Sequence, residues 1–289
     1  MEEPAAFNLL MDKNLPHILV KIFLFLDYES LKSCHQVCRT WNKLLRSEYF
    51  SKRIRSLYYW ALYEEEVRLC RASGDGNIEE VRRLLSSGML DVNAVEGKSM
   101  ETPLGLAAQM GHEDVVQLLL DGGAKPDKTD LHDSSTPLHQ AVKGGHSGVV
   151  KRLLDGGAEP NYPNFFEDTR RITPLHLAVT MGHNEMSGGV IEVLLKGGAD
   201  PNLGSKWDGK TPLHSAAICG NLSAVKLLIE NGANPNKLDC RGMTPLKWAK
   251  MRDMRQESTQ ESQEVVKILK RYKKKDQRKL KIKQRFKNK

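Results

Sequence analysis

Thr211–Asn236 reads TPLHSAAICGNLSAVKLLIENGANPN. Thr-Pro predicts a helix start, because proline is tolerated in the first turn, where its missing N–H has no partner to lose. Leu213, Ala216 and Ala217 then form a narrow face of small residues that lets helices stack closely. Gly220 closes this helix by supplying the backbone freedom of a tight turn. Val225, Leu228 and Ile229 follow at helical spacing and predict a second, outward helix. A unit of this size cannot bury its own apolar face, so stacked neighbours must supply the core.

The neighbours are present. "TPL" begins at Thr102, Thr136, Thr173, Thr211 and Thr244, with spacings of 34, 37, 38 and 33. Between them run GHEDVVQLLLDGGAKPD, GHSGVVKRLLDGGAEPN and GHNEMSGGVIEVLLKGGADPN. This period and pattern resemble the ankyrin repeat. The resemblance implies a solenoid of helix-turn-helix units joined by hairpin fingers. VRLCRASGDGNIEEVRRLLSSGMLDVN is a degenerate N-terminal copy, and the polar last copy reads as a C-terminal cap. The insertion NEMSGG, Asn184–Gly189, is expected to extend a loop on the outer side.

His139, His176 and His214 occupy the TPLH slot, where the resemblance implies an imidazole that ties turns together rather than a metal ligand or a base. His112, His146 and His183 of the "GH" turns are read the same way. SGDGN at Ser73–Asn77 has no third glycine and follows no predicted strand, so it is not a nucleotide loop. No HExxH, GxSxG or P-loop pattern occurs, and no cofactor or catalytic residue is expected. The cysteines, Cys34, Cys38, Cys70, Cys219 and Cys240, are odd in number and contain no CxxC, which argues for a reducing compartment.

The N-terminal stretch LPHILVKIFLFLDYESLKSCHQVCRTWNKL stands outside the repeats. Its apolar run is far shorter than the roughly 20 residues of a membrane helix. The leader MEEPAAF is acidic and no small-residue cleavage site follows, so no secretory signal is expected. Apolar residues recur at helical spacing in three short segments, of a size that rarely stabilises itself without a staple, metal or partner. The segment resembles an F-box at Leu15, Pro16, Ile22, Phe23, Leu26, Asp27, Leu31, Val37, Cys38, Arg39 and Trp41. It departs from the family in lacking an acidic residue two positions after the proline. The resemblance implies docking on a Skp-type adaptor, and through it on a cullin–RING ubiquitin ligase. The adaptor-binding residues would be Leu15, Pro16, Ile22, Phe23, Leu26, Leu31, Val37, Cys38 and Trp41.

The expected fold is therefore all-α, a three-helix F-box followed by an ankyrin solenoid. The divisions are a tail at 1–12, F-box at 13–50, helical linker at 51–66, degenerate repeat at 67–96, repeats and cap at 97–270 and a basic, disordered tail at 271–289. A protein client is expected at the fingers, where Tyr162, Phe165, Phe166, Arg170, Arg171 and Trp207 are residue types that interfaces favour. The tail holds eleven Lys/Arg and one Asp, leaving a net charge of −2 for residues 1–270. It reads as a nuclear or nucleolar address, as a contact with acidic protein or a non-specific one with nucleic acid, or as a solubilising segment.

These readings combine into a non-catalytic substrate receptor of an SCF-type ligase, in the nucleus or cytoplasm, with no membrane association. The alternatives are an ankyrin scaffold or inhibitor capped by its N-terminal helices, and a nucleic-acid-associated protein acting through its tail.

Overall fold

The computed structural model describes residues 65–87, 90–95, 101–130, 134–164, 172–181, 185–254 and 259–287. Among them every regular element is an α-helix. The helices come in pairs: α1 (65–74) with α2 (Ile78–Leu85), α3 (Pro103–Met110) with α4 (Glu113–Asp121), and α5 (Pro137–Gly144) with α6 (Ser147–Asp155). Then follow α7 (Pro174–Met181) with α8 (Glu185–Lys196), α9 (Pro212–Cys219) with α10 (Leu222–Glu230), and α11 (Pro245–Met254) with α12 (Gln260–Lys287).

Each of the inner helices α3, α5, α7, α9 and α11 starts at the proline of a TPL triplet. Thr102, Thr136 and Thr211 are extended, and Thr102 caps its helix by accepting a hydrogen bond from the Gly105 N–H at 3.0 Å. Helices α3, α5 and α9 end on a left-handed glycine, Gly111, Gly145 and Gly220. At Gly111 (φ 84°) there is a second reason for glycine: an added Cβ would lie 2.6 Å from the His146 ring of the next unit.

Helices of 8 or 9 residues are too short to persist alone, so packing has to hold them. Inner helices α3, α5, α7, α9 and α11 stack in that order, and outer helices α2, α4, α6, α8, α10 and α12 form a second layer. Leu104, Leu138, Leu175 and Leu213 fill the inner layer, while Leu84, Leu119, Leu153, Leu194, Leu228 and Leu269 hold one register of the outer layer. Val266 and Leu269 show that the first part of α12 is the outer helix of the last unit.

Two expectations are corrected. The insertion does not make an outer loop: residues 185–189 are the first turns of α8, which has 12 residues where α6 and α10 have 9. Anchored downstream by Val190, Ile191 and Leu194, the helix propagates backward through Gly188 and Gly189 despite their cost of about 1 kcal/mol each. The basic tail is likewise not irregular. The α12 backbone remains helical to Lys287, because the stretch contains no Pro or Gly and its Lys, Arg and Gln are good helix formers extending a docked helix.

Candidate functional site

Between the paired helices, hairpin fingers close with matching backbone hydrogen bonds. Asp130 N–H donates to Ser135 O at 3.0 Å, Asn164 N–H to Ile172 O at 3.0 Å, Ser205 N–H to Lys210 O at 2.8 Å and Asp239 N–H to Met243 O at 3.0 Å. The TPLH imidazoles seat these fingers on the preceding helices. Nε2 of His139 donates to Ile172 O at 3.3 Å, that of His176 to Lys210 O at 2.9 Å and that of His214 to Met243 O at 3.1 Å. On its other side each Nδ1 accepts from the threonine that opens the helix, at 2.9, 2.8 and 2.9 Å.

Only the neutral ring fits this arrangement. Burial pushes the His176 pKa down to about 4, and burial also lowers that of His214. The imidazoles are structural ties, as the resemblance implied. Among the described residues no group of three or more His, Cys, Asp or Glu is placed to hold a metal ion.

Two further ladders join the units, of which the first was not recognised in the sequence and the second is made by the "GH" imidazoles read there as ties. Asn93, Asp127, Asn161 and Asn202 each accept from the backbone N–H of the next unit, at 2.8, 3.0, 2.9 and 2.7 Å. Their recurrence in the "DVN", "KPD", "EPN" and "DPN" ends of the units was the available signal. Nε2 of His112 and of His146 donate to Gly74 O and Gln109 O, both at 3.0 Å, and in the last unit the Arg252 guanidinium makes the corresponding bond to Ile218 O at 2.7 Å.

The finger that carries Trp207 is braced by its own side chains. The Asp208 carboxylate accepts from the Ser205 hydroxyl and from Lys210 Nζ, the latter at 2.6 Å. Burial opposes its ionisation, yet these hydrogen bonds prevail and hold its pKa at about 2. Lys210 Nζ also lies 4.7 Å from the Trp248 ring centre, a cation–π distance. Trp248 Nε1–H in turn donates to Asp239 at 2.8 Å, and the Cys240 N–H reaches across to Asp208 O at 2.9 Å, locking two fingers together.

On this rigid support the Trp207 side chain is 66% exposed. Leu238 on the next finger, 57% exposed, and Leu203 add apolar surface that the sequence reading did not single out. Met110 and Met181, at the C-terminal ends of inner helices α3 and α7, are exposed as well. A bulky indole left largely in water on a braced finger is suited to burial against another protein.

Of the other expected client residues, Tyr162 is half-buried in its turn. Phe165, Phe166, Arg170 and Arg171 lie outside the described residues, as do Leu15, Pro16, Ile22, Phe23, Leu26, Leu31, Val37, Cys38, Trp41 and His183.

Comparison with known proteins bears on both parts of the chain. The family model described as "Ankyrin repeats (3 copies)" matches residues 64–130, 125–188 and 186–279, and the one described as "F-box-like" matches residues 14–56. Of solved structures, the ankyrin repeat domain of Bcl-3, described as a unique member of the IkappaB protein family, is 30% identical. It superposes with a TM-score of 0.60 over 70% of this chain and 84% of that one. A chain from the complex of the Bd0816 predatory endopeptidase of Bdellovibrio bacteriovorus with immunity protein Bd3460 shares the fold, at 24% identity and TM-score 0.57, over 70% and 96% of the two chains.

A curated relative, "Putative ankyrin repeat protein FPV223" of Fowlpox virus (strain NVSL), is 43% identical over 44 residues, which are 15% of this chain and 31% of that protein. The chain belongs to the ankyrin-repeat family and carries an F-box-like domain ahead of the array. That architecture is typical of non-catalytic adaptor proteins.

Proposed function

We propose that this chain is the substrate-recognition subunit of an SCF-type ubiquitin ligase. Its F-box-like segment docks on a Skp-type adaptor and, through it, on a cullin–RING core, while the ankyrin stack holds the protein to be ubiquitinated. The carrying observation is the union in one chain of an F-box-like match at residues 14–56 with a stack that holds Trp207 out on a braced finger. The chemistry of ubiquitin transfer belongs to other subunits, and the complex would work in the nucleus or cytoplasm.

Burying a Leu, Ile or Phe contributes about 1.5–3 kcal/mol, so a few residues such as Leu31 and Trp41 can dominate adaptor docking. Affinity purification of the full chain should recover a Skp-type adaptor and a cullin. The double variant Leu31→Ala/Trp41→Ala should lose both and keep its clients. A Phe165→Ala/Phe166→Ala/Trp207→Ala variant should show the converse. Recovery of clients with no adaptor from the unaltered chain would instead identify an ankyrin scaffold or inhibitor.

A further inference from the structure

Helix α12 changes character at Arg271. Before it, buried positions recur at Ser262, Val265, Val266 and Leu269, where the helix lies against α10 and α11. Over Gln260–Lys270 the charges cancel, Glu261 and Glu264 against Lys267 and Lys270. From Arg271 to Lys287 ten Lys/Arg face a single acid, Asp276. The buried spacing continues through half-buried Tyr272 to positions 276, 280 and 283, which are Asp, Leu and Lys and do not form an apolar stripe. The backbone nevertheless remains helical to Lys287. Residues 273–287 thus make a rod about 22 Å long that continues from a docked helix.

The distribution of charge around this rod selects its ligand. At about 100° per residue, basic positions fall in every quadrant: Arg271, Lys275 and Lys279 in one, Lys283 and Lys287 in the next, Lys273 in the third, and Lys274, Arg278, Lys281 and Arg285 in the fourth. Leu280, Ile282 and Phe286 are interleaved with Lys279, Lys283 and Lys287 rather than gathered on a face of their own. A helix that lies on a lipid surface needs a segregated apolar face, and this one has none. A helix ringed by cations matches a groove walled by phosphates on both sides. The major groove of B-form DNA, about 12 Å wide, admits an α-helix, whereas that of A-form RNA is too narrow and deep.

We propose that residues 271–287 form a helical arm that binds double-stranded DNA non-specifically, lying in the major groove and neutralising phosphates on either side. The arm acts independently of the adaptor-docking segment and of the fingers, and would hold the receptor where DNA-associated clients are concentrated.

The test is fluorescence anisotropy of the full chain with a short labelled DNA duplex of arbitrary sequence. Affinity should fall about 10³-fold between about 50 and about 200 mM salt, as expected when roughly six phosphates are neutralised. Lys279→Gln/Lys281→Gln/Lys283→Gln/Arg285→Gln keeps good helix formers and should weaken binding at least about tenfold, with adaptor capture unchanged. Leu280→Pro keeps every charge but breaks the helix and should weaken binding several-fold. Equal affinity of the quadruple variant, or tighter binding to an RNA duplex or to phosphatidylserine vesicles than to DNA, would overturn the proposal. An unaffected Leu280→Pro variant would refute the groove-lying helix.

Discussion

The units around His176 and Trp248 solve one problem in two ways. In the interior, a single neutral imidazole joins the threonine that starts α7 to the Lys210 carbonyl of the next finger, and stacked helices cover it on both sides. The last described unit is the pair α11 and α12. Lys247 takes the histidine slot and reaches Gly242 O of its own finger at 3.3 Å, Trp248 bonds to Asp239, and Arg252 reaches back to Ile218 O. The interior TPLH imidazoles are satisfied from the unit ahead, whereas in the last unit Lys247 and Trp248 are satisfied within the unit, and Arg252 keeps the backward bond that His112 and His146 make in the interior. Repetition is therefore sustained by buried neutral contacts and terminated by long, charged side chains that tolerate solvent on one face.

This contrast can be broken by mutation, beginning where the effect is greatest. Leu194→Ala empties a fully buried site in α8, which packs on both α6 and α10, and should cost about 2–5 kcal/mol in urea unfolding. Acidification comes next. The His176 pKa falls from 6.5 unfolded to about 4 folded, so its contribution is intact above pH 6.5 and is lost as the pH falls toward 4. The full effect is on the order of 3 kcal/mol, and His176→Gln should flatten the stability–pH curve over that interval.

At neutral pH, His176→Ala leaves the Lys210 carbonyl without its imidazole donor and should cost about 1–3 kcal/mol. Arg252→Ala at the half-exposed end should cost less, about 0.5–1.5 kcal/mol. Trp207→Ala should change stability by no more than about 0.5 kcal/mol while reducing client capture in a pull-down. A large loss of stability would reassign the indole from binding to packing.

The repeat itself was readable because its signals are local. Thr-Pro pre-sets the first turn and a left-handed glycine ends the helix. In the outer helices, apolar pairs such as Val149-Val150 and Val190-Ile191, with leucine three residues after the second, mark one face. The exposed Trp207 was legible for the opposite reason, since a large aromatic in a polar finger has no local role. Leu203 and Leu238 escaped notice because a lone leucine in a finger has the same composition whether it is buried or exposed. The NEMSGG stretch misled because its glycines and serine argue for a loop, and only the anchored turns behind it make a helix the lower-energy continuation.

By itself, then, the sequence determined the period, the all-helical class and the caps of each short helix, since these depend on residues within one or two turns of each other. Tertiary structure alone decided which carbonyl each imidazole meets. Ile172 lies 33 residues beyond His139, Lys210 34 beyond His176, and Met243 29 beyond His214. It also decided that Lys210 serves Asp208 and Trp248 at once. Such pairings exist only once neighbouring units have stacked, because burial then removes water as the competing partner and leaves each polar group a single satisfactory choice.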